Sequence, residues 1–289
     1  MKLQSSRGTY VVAIVALAMM LASCSFKTLY NQLDHLIPLY VVGMVPLDDM
    51  LEEKVEQRTL ALLDWHRNTQ LNQYAHWLSA LQRDANQQLT TERVLAHIAR
   101  LDDFWQSLLI RINEEMVMLL PQLNAVQRQE LFESIADKNE DFHHDYVSVS
   151  DEERIEQYID RMLDNYEKWL GDLTDEQEIA VVTAAAEMLS SAELRLERRL
   201  QWQRGIQSIL DSGDSEETKA SRLREFFAVF HNRDYAAMKV VEDTNRLVLA
   251  RLTVQIVHGM TAEQKAHFVS ATNDYIRMFT ELAKSKATE

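Results

Sequence analysis

Apolar residues along this chain recur at alternating spacings of four and three, a rhythm that selects one kind of local structure. From Val94 the series runs Ile98, Leu101, Trp105, Leu108, Ile112, and from Ile155 it runs Ile159, Met162, Tyr166, Trp169. Between Ile179 and Leu200 it continues through Val182, Ala186, Leu189 and Leu196, with Glu193 the single interruption, and near the end through Phe268, Ala271, Tyr275, Met278 and Leu282. On a helix of ~3.6 residues per turn each series is one stripe, with charged residues opposite. No run of strand length alternates with period two. Six Gly and three Pro in 289 residues are too few for a sandwich or barrel, which turns roughly every 8–12 residues. The predicted fold is all-α, an elongated multi-helix bundle of antiparallel helices, about nine or ten after the leader.

Helices are predicted near 28–36, 48–68, 72–88, 90–119, 124–142, 150–170, 174–210, 215–231, 234–257 and 261–284. Their starts are marked by capping residues such as Asp48, Asn124, Thr174 and Thr261. Gln177 and Gln264 fall at the third helical position after their threonines, and Glu153 does so after Ser150, the spacing of a capping box. Gly171, Gly213 and Gly259 are expected to close the preceding helices in the left-handed conformation. No Pro-, Gly- or Ser-rich linker divides the chain. The organisation expected is a signal peptide over 1–23, a lipidated N-terminus with a short tether helix over 24–45, and one helical domain over 46–289, with a hinge near 147–150.

The first residues read as an address. Lys2 and Arg7 precede an apolar run from Tyr10 to Leu21, 12 residues long, whereas a spanning helix needs about 20. Leu21-Ala22-Ser23-Cys24 follows. It resembles the bacterial lipobox, which implies diacylglyceryl modification and cleavage at Cys24, the only cysteine of the chain. Two or more acyl chains make a stable anchor where one does not. By the same resemblance, Ser25 rather than Asp after the cysteine implies an outer-membrane lipoprotein facing the periplasm. The net charge of -15 argues against nucleic acid as a partner, because phosphate neutralisation needs a basic surface.

Candidate chemistry is sparse. There is no Gly-rich phosphate loop, no Gly-x-Ser-x-Gly elbow and no His-Glu-x-x-His, so the chain reads as a non-enzyme with no cofactor and no metal centre. His143 and His144 are adjacent, and adjacent residues on a helix point about 100° apart, which suits a solvated helix end better than chelation. Arg195, Arg198, Arg199 and Arg204 surround Trp202 and form the one basic patch in an acidic chain. They are candidates for gripping a carboxylate or phosphate. The blander alternative pairs them with acidic faces of neighbouring helices, such as that of Asp151, Glu152 and Glu156.

Two resemblances add to this. The starts Leu123-Asn124-x-x-Gln127, Leu173-Thr174-x-x-Gln177 and Met260-Thr261-x-x-Gln264 resemble the repeat of the Spy/CpxP class of periplasmic stress proteins. The segments Leu29–Pro38 and Asp64–Ala75, followed by a capped helix such as Leu123–Gln127, are similar to an uncharacterised bacterial lipoprotein family, a domain of unknown function. That similarity implies an anchored helical protein and no activity, and it marks Trp65, His66, Arg67 and Tyr74 as a family-motif surface. Family members commonly carry Glu-Leu-Pro where this chain has Gln70-Leu71-Asn72, so no proline dictates a kink there. The function expected is that of a lipid-anchored protein that binds an envelope protein or another envelope component without catalysis. The alternatives are a carrier of a lipid or other apolar ligand in a bundle cavity, and a chaperone-like holder of unfolded clients.

Overall fold

The computed structural model describes residues 23–231 and 235–285. Residues 1–22 of the segment expected to be a signal peptide, and the side chain of Cys24, lie outside the described residues. Helices α1 (Ser23–Tyr30), α2 (Leu33–Val42), α3 (Asp49–Thr69), α4 (Leu71–Ala85) and α5 (Thr91–Leu119) come first. After a 3₁₀ turn at Leu120–Gln122 comes α6 (Ala125–Phe142), then a π turn at His143–Val147 and α7 (Asp151–Leu170). The chain continues with α8 (Asp175–Glu187), α9 (Ala192–Leu210), α10 (Glu216–His231), α11 (Ala236–His258) and α12 (Ala262–Lys284). There is no strand among the described residues. The all-α bundle expected from the spacing is the fold observed.

The helix starts show how closely the backbone follows local chemistry. A helix leaves its first amide groups without intrahelical partners. Side chains of Asp48, Thr90, Asn124, Ser150, Thr174 and Thr261 each accept from one of them. Reciprocal capping boxes form at Asn124/Gln127, Thr174/Gln177 and Thr261/Gln264. The three glutamines are buried and use their side-chain N–H groups on distant parts of the chain. Gln127 Nε2 donates to the Pro46 carbonyl at 3.0 Å. Gln177 and Gln264 face each other and exchange amide hydrogen bonds of 3.0 and 2.7 Å. The recurring Thr/Asn-x-x-Gln motif is therefore a joint between helices in this chain. At Ser150 the box is half made: its hydroxyl accepts from the Glu153 amide at 3.1 Å, with no reciprocal bond from the Glu153 side chain.

Buried side chains fall into five separate clusters rather than one core. The largest joins α7, α8, α11 and α12 around Val181, Ala185, Ile256 and Phe268. A second joins the C-terminal half of α5 to α9 and α10 around Val117, Leu210 and Leu223. The third places Tyr30 of α1 and Leu71 of α4 against Met278 and Leu282 of α12. Smaller clusters form around Leu51 with Leu123 and around Val94 with Ala250. Helix α5, 29 residues long and so about 44 Å end to end, packs on α11 along one stretch and on α10 along another. Its one buried carboxylate, Glu115, is held by Arg58 of α3 and, at 2.7 Å, by Arg111 one turn back.

Three expectations are corrected. The helix foreseen over 174–210 is two helices, because Met188 adopts an extended ψ of 135°. Tertiary bonds hold the break: Arg154 Nη1 donates to the Met188 carbonyl, and Asn245 bonds both the amide and the carbonyl of Leu189. The helix foreseen over 28–36 is likewise two, and α2 continues through Pro38, whose ring is buried. Among the described glycines Gly171 alone has positive φ, at 77°; Gly259 ends its helix at φ -86°. The break expected between the helices over 48–68 and 72–88 does occur without a proline: α3 and α4 are interrupted at Gln70 (φ -101°, ψ -46°), which is itself buried.

Gly205 has a specific role in the second cluster, since a Cβ there would overlap the Phe226 ring of α10. Gly205→Ala gains about 1 kcal/mol of helix propensity but overpacks a contact whose cost runs to about 1–3 kcal/mol. The net result expected is a lower thermal midpoint. Gly213→Ala, where a Cβ meets nothing within 4 Å, should leave the midpoint within a degree or two of the parent.

Candidate functional site

Trp65, His66, Arg67 and Tyr74, expected as a motif surface, turn largely inward. They lie at the α3–α4 kink, where α1 and α12 also meet. The Tyr30 hydroxyl bonds His66 Nδ1 at 2.8 Å, and His66 Nε2 bonds the Tyr74 hydroxyl at 3.2 Å. A neutral imidazole has one N–H and one lone pair, so one tyrosine donates to the ring and the other accepts from it. Burial, with a smaller contribution from the adjacent Arg67 charge, holds His66 down to about 4. Burial pushes Tyr74 up to about 12 and Tyr30 higher still. Arg67 is 5% exposed and makes no ion pair among the described residues. Its guanidinium lies 5.3 Å from the Tyr30 ring centroid and reaches Asn31 Oδ1 at 3.3 Å. Trp65 is half-buried beside His66. The role this geometry supports is to fix α1 on the body.

The basic patch has a different setting. Arg195, Arg198, Arg199 and Trp202 occupy one face of α9 at relative positions 0, 3, 4 and 7, and all four line a solvent-open cleft of about 690 Å³ between α5, α9 and α11. Arg204 is exposed and does not line it; two residues beyond Trp202, it points about 200° away. None of the three cleft arginines of α9 forms a salt bridge among the described residues, so the blander pairing with α7 carboxylates is not what occurs. Instead Arg198 sits 5.0 Å from the Tyr235 ring and 5.9 Å from that of Phe230, and Arg199 4.9 Å from Phe142. Burial, together with the charge of Arg195, lowers the proton affinity of Arg199.

The opposite walls are mixed. Helix α5 contributes Asp102, Trp105 and Leu109, and α11 contributes Glu242, Arg246 and Leu249. Asp102 is already neutralised by Arg246 at 3.0 Å. Trp105 is 57% exposed, an unusual position for so large an apolar surface. Four arginines against two carboxylates line the cleft, a local excess of two positive charges in a chain of charge -15.

Residues 44–233 match the model of DUF6279, a family of unknown function. The chain belongs to the DUF6279 family. No curated protein and no solved structure matches it. The match runs through the Trp65–Tyr74 motif and the whole arginine face of α9, so these two segments lie inside the DUF6279 region, whereas α1 with Tyr30, the α11 wall of the cleft and α12 lie outside it. Sequence reasoning missed Tyr30 as the third member of the buried relay and Trp105 as the aromatic wall of the cleft. Trp105 was assigned to a core stripe because it keeps the spacing, and only the diverging neighbours leave it uncovered.

His144 sits in the π turn, exposed, with Asp145 at 3.0 Å raising its proton affinity. Among the described residues no group of three His, Cys, Asp or Glu side chains is placed to hold a metal ion. No described helix is long and apolar enough to cross a membrane.

The relay makes stability depend on acidity. His66 binds a proton near pH 6.5 when unfolded and only near 4 when folded, so the unfolded state holds more protons between these values. Stability is complete above pH 6.5 and falls as pH drops toward 4. The full shift corresponds to about 3 kcal/mol. Urea unfolding at pH 7 and pH 4 should show a larger acid loss for the parent than for His66→Gln; equal losses would contradict a neutral buried imidazole.

Proposed function

We propose that this DUF6279 chain is a non-catalytic protein moored to the bacterial envelope by acyl chains on Cys24, facing the periplasm from the outer membrane, and that it binds an envelope component at the α9 cleft. The observation that carries the binding reading is the row of arginines without carboxylate partners beside an exposed Trp105. Arginine and tryptophan are the side chains most enriched at binding hot spots. The resemblance of Leu21–Cys24 to a lipobox supports the mooring. So does the placement of α1, the helix that contains Cys24, whose Lys27 pairs with Glu281 of α12 at 2.9 Å and whose Phe26 ring lies edge-on to Phe279 at 6.2 Å. With α1 docked in this way, an acylated Cys24 would hold the body directly rather than through a loose tether.

The cleft also weighs between the alternatives. A carrier of the kind first considered would enclose its ligand in an apolar bundle cavity, whereas this cleft is open and charged on one wall. The similarity of the Thr/Asn-x-x-Gln starts to Spy/CpxP repeats gives little support to a chaperone, since all three glutamines are spent on caps and interhelical bonds.

Two experiments test this reading. Cys24→Ala should release the chain from envelope membranes after a high-salt wash, and retention would remove the anchor. A photo-crosslinking amino acid at position 105 should give reproducible adducts in intact cells that weaken when Arg195, Arg198 and Arg199 are changed together to Gln. Absence of adducts, or adducts indifferent to the arginines, would overturn the cleft as the binding surface.

A further inference from the structure

The shape and lining of the α9 cleft say more about its occupant than that it is anionic. Its volume of about 690 Å³ lies in the ~300–1,000 Å³ range of sites that enclose a small molecule. A docking protein instead covers a broad surface of about 800 Å² per partner. One wall is the guanidinium row of α9; the α5 and α11 walls carry the apolar surface of Trp105, Leu109 and Leu249 beside Asp102, Glu242 and Arg246. A purely inorganic anion would leave the apolar surface wet, and a purely apolar ligand would desolvate arginines without pairing them.

The arginines are also preorganised. Arg198 and Arg199 are stacked against aromatic rings of α6, α10 and the start of α11, and a stacked guanidinium keeps its N–H edge free for bidentate bonding. With Arg195 one turn away, three guanidinium groups share this face of α9 without an ion-pair partner among the described residues. Resting on the reading of this cleft as the binding site, we propose that its occupant is a small anionic amphiphile: a phosphate- or carboxylate-headed molecule whose head bonds Arg195, Arg198 and Arg199 and whose apolar part lies on Trp105, Leu109 and Leu249.

Hexyl phosphate carries both halves and remains monomeric in water at millimolar concentration. Titrated calorimetrically into the full chain held in neutral maltoside micelles, with empty micelles as the blank, it should bind saturably with one site per chain. Inorganic phosphate and hexanol should each bind at least tenfold more weakly. Arg198→Gln/Arg199→Gln should weaken hexyl phosphate at least tenfold, and Trp105→Ala should weaken it severalfold without changing the response to inorganic phosphate. Both variants alter partly or largely exposed side chains, and an unchanged thermal midpoint verifies their fold. Inorganic phosphate binding as well as hexyl phosphate would reduce the cleft to a simple anion site and overturn the amphiphile. Binding unaffected by the arginine variant would overturn the assigned head group. If hexyl phosphate fails while arginine-dependent crosslinks form at position 105 in cells, the binding cleft stands and this ligand class falls; if both fail, the cleft falls with it.

Discussion

Helix α12 must bury a face against partners from the opposite end of the chain, and the arrangement of everything else follows from that closure. Met278 and Leu282 are covered by Tyr30 of α1 and Leu71 of α4, while Phe268 completes the cluster built by α7, α8 and α11. Burial of side chains of this size is worth about 1.5–3 kcal/mol each, which no single neighbour could supply. The polar groups on the same face are matched. Thr272 is fully buried, and Gln82 of α4 donates to its hydroxyl at 2.7 Å. At its start the Gln264 amide meets that of Gln177. A buried amide without a partner costs more than a hydrogen bond gains, so the Gln177–Gln264 pair specifies how the starts of α8 and α12 approach as well as stabilising them.

The same closure links the two constellations, each of which joins side chains of the DUF6279 region to a helix outside it. By holding α1 against α4 and α3, α12 buries Tyr30 beside His66 and gives the imidazole its two hydroxyl partners. By seating α11 against α8, the large cluster sets the far wall of the cleft. Asn245 of that helix also grips Leu189, so the element that forms one wall of the cleft breaks the chain just before α9, which forms the other. The break redirects α9 and presents its arginine face to the opening. A continuous helix over 174–210 would have carried that face along the α8 axis.

What the sequence made legible and what it did not divide along physical lines. Caps were readable because they are local: Thr174 with Gln177 and Thr261 with Gln264 satisfy amides within one turn. The break at Met188–Ser191 was not, because its hydrogen bonds come from Arg154 and Asn245, 34 and 56 residues away. A trace existed in the out-of-phase Glu193. Arg204 could have been excluded by periodicity alone, since its offset from Trp202 takes it off the arginine face. Trp105 could not have been recognised, since a stripe residue is buried or bare according to how its neighbours diverge.

An acidic chain that leaves arginines without carboxylates has declined an easy neutralisation. With 45 acidic side chains against 30 basic ones, half of the 18 described arginines form an ion pair: Arg58, Arg93, Arg100, Arg111, Arg128, Arg154, Arg222, Arg246 and Arg277. On α9 the aromatic rings of Phe142, Phe230 and Tyr235 take that place. A cation over an aromatic face gains about 0.5–2 kcal/mol, enough to hold a guanidinium in position without consuming its hydrogen-bond donors. The long-range field of the whole chain repels anions, but at physiological salt it is screened beyond about 8 Å. Within that distance of the cleft the local excess of two positive charges outweighs the distant acidic surface. Selectivity then falls to the apolar wall, because screening weakens charge and leaves hydrophobic contact with Trp105 and Leu249 untouched.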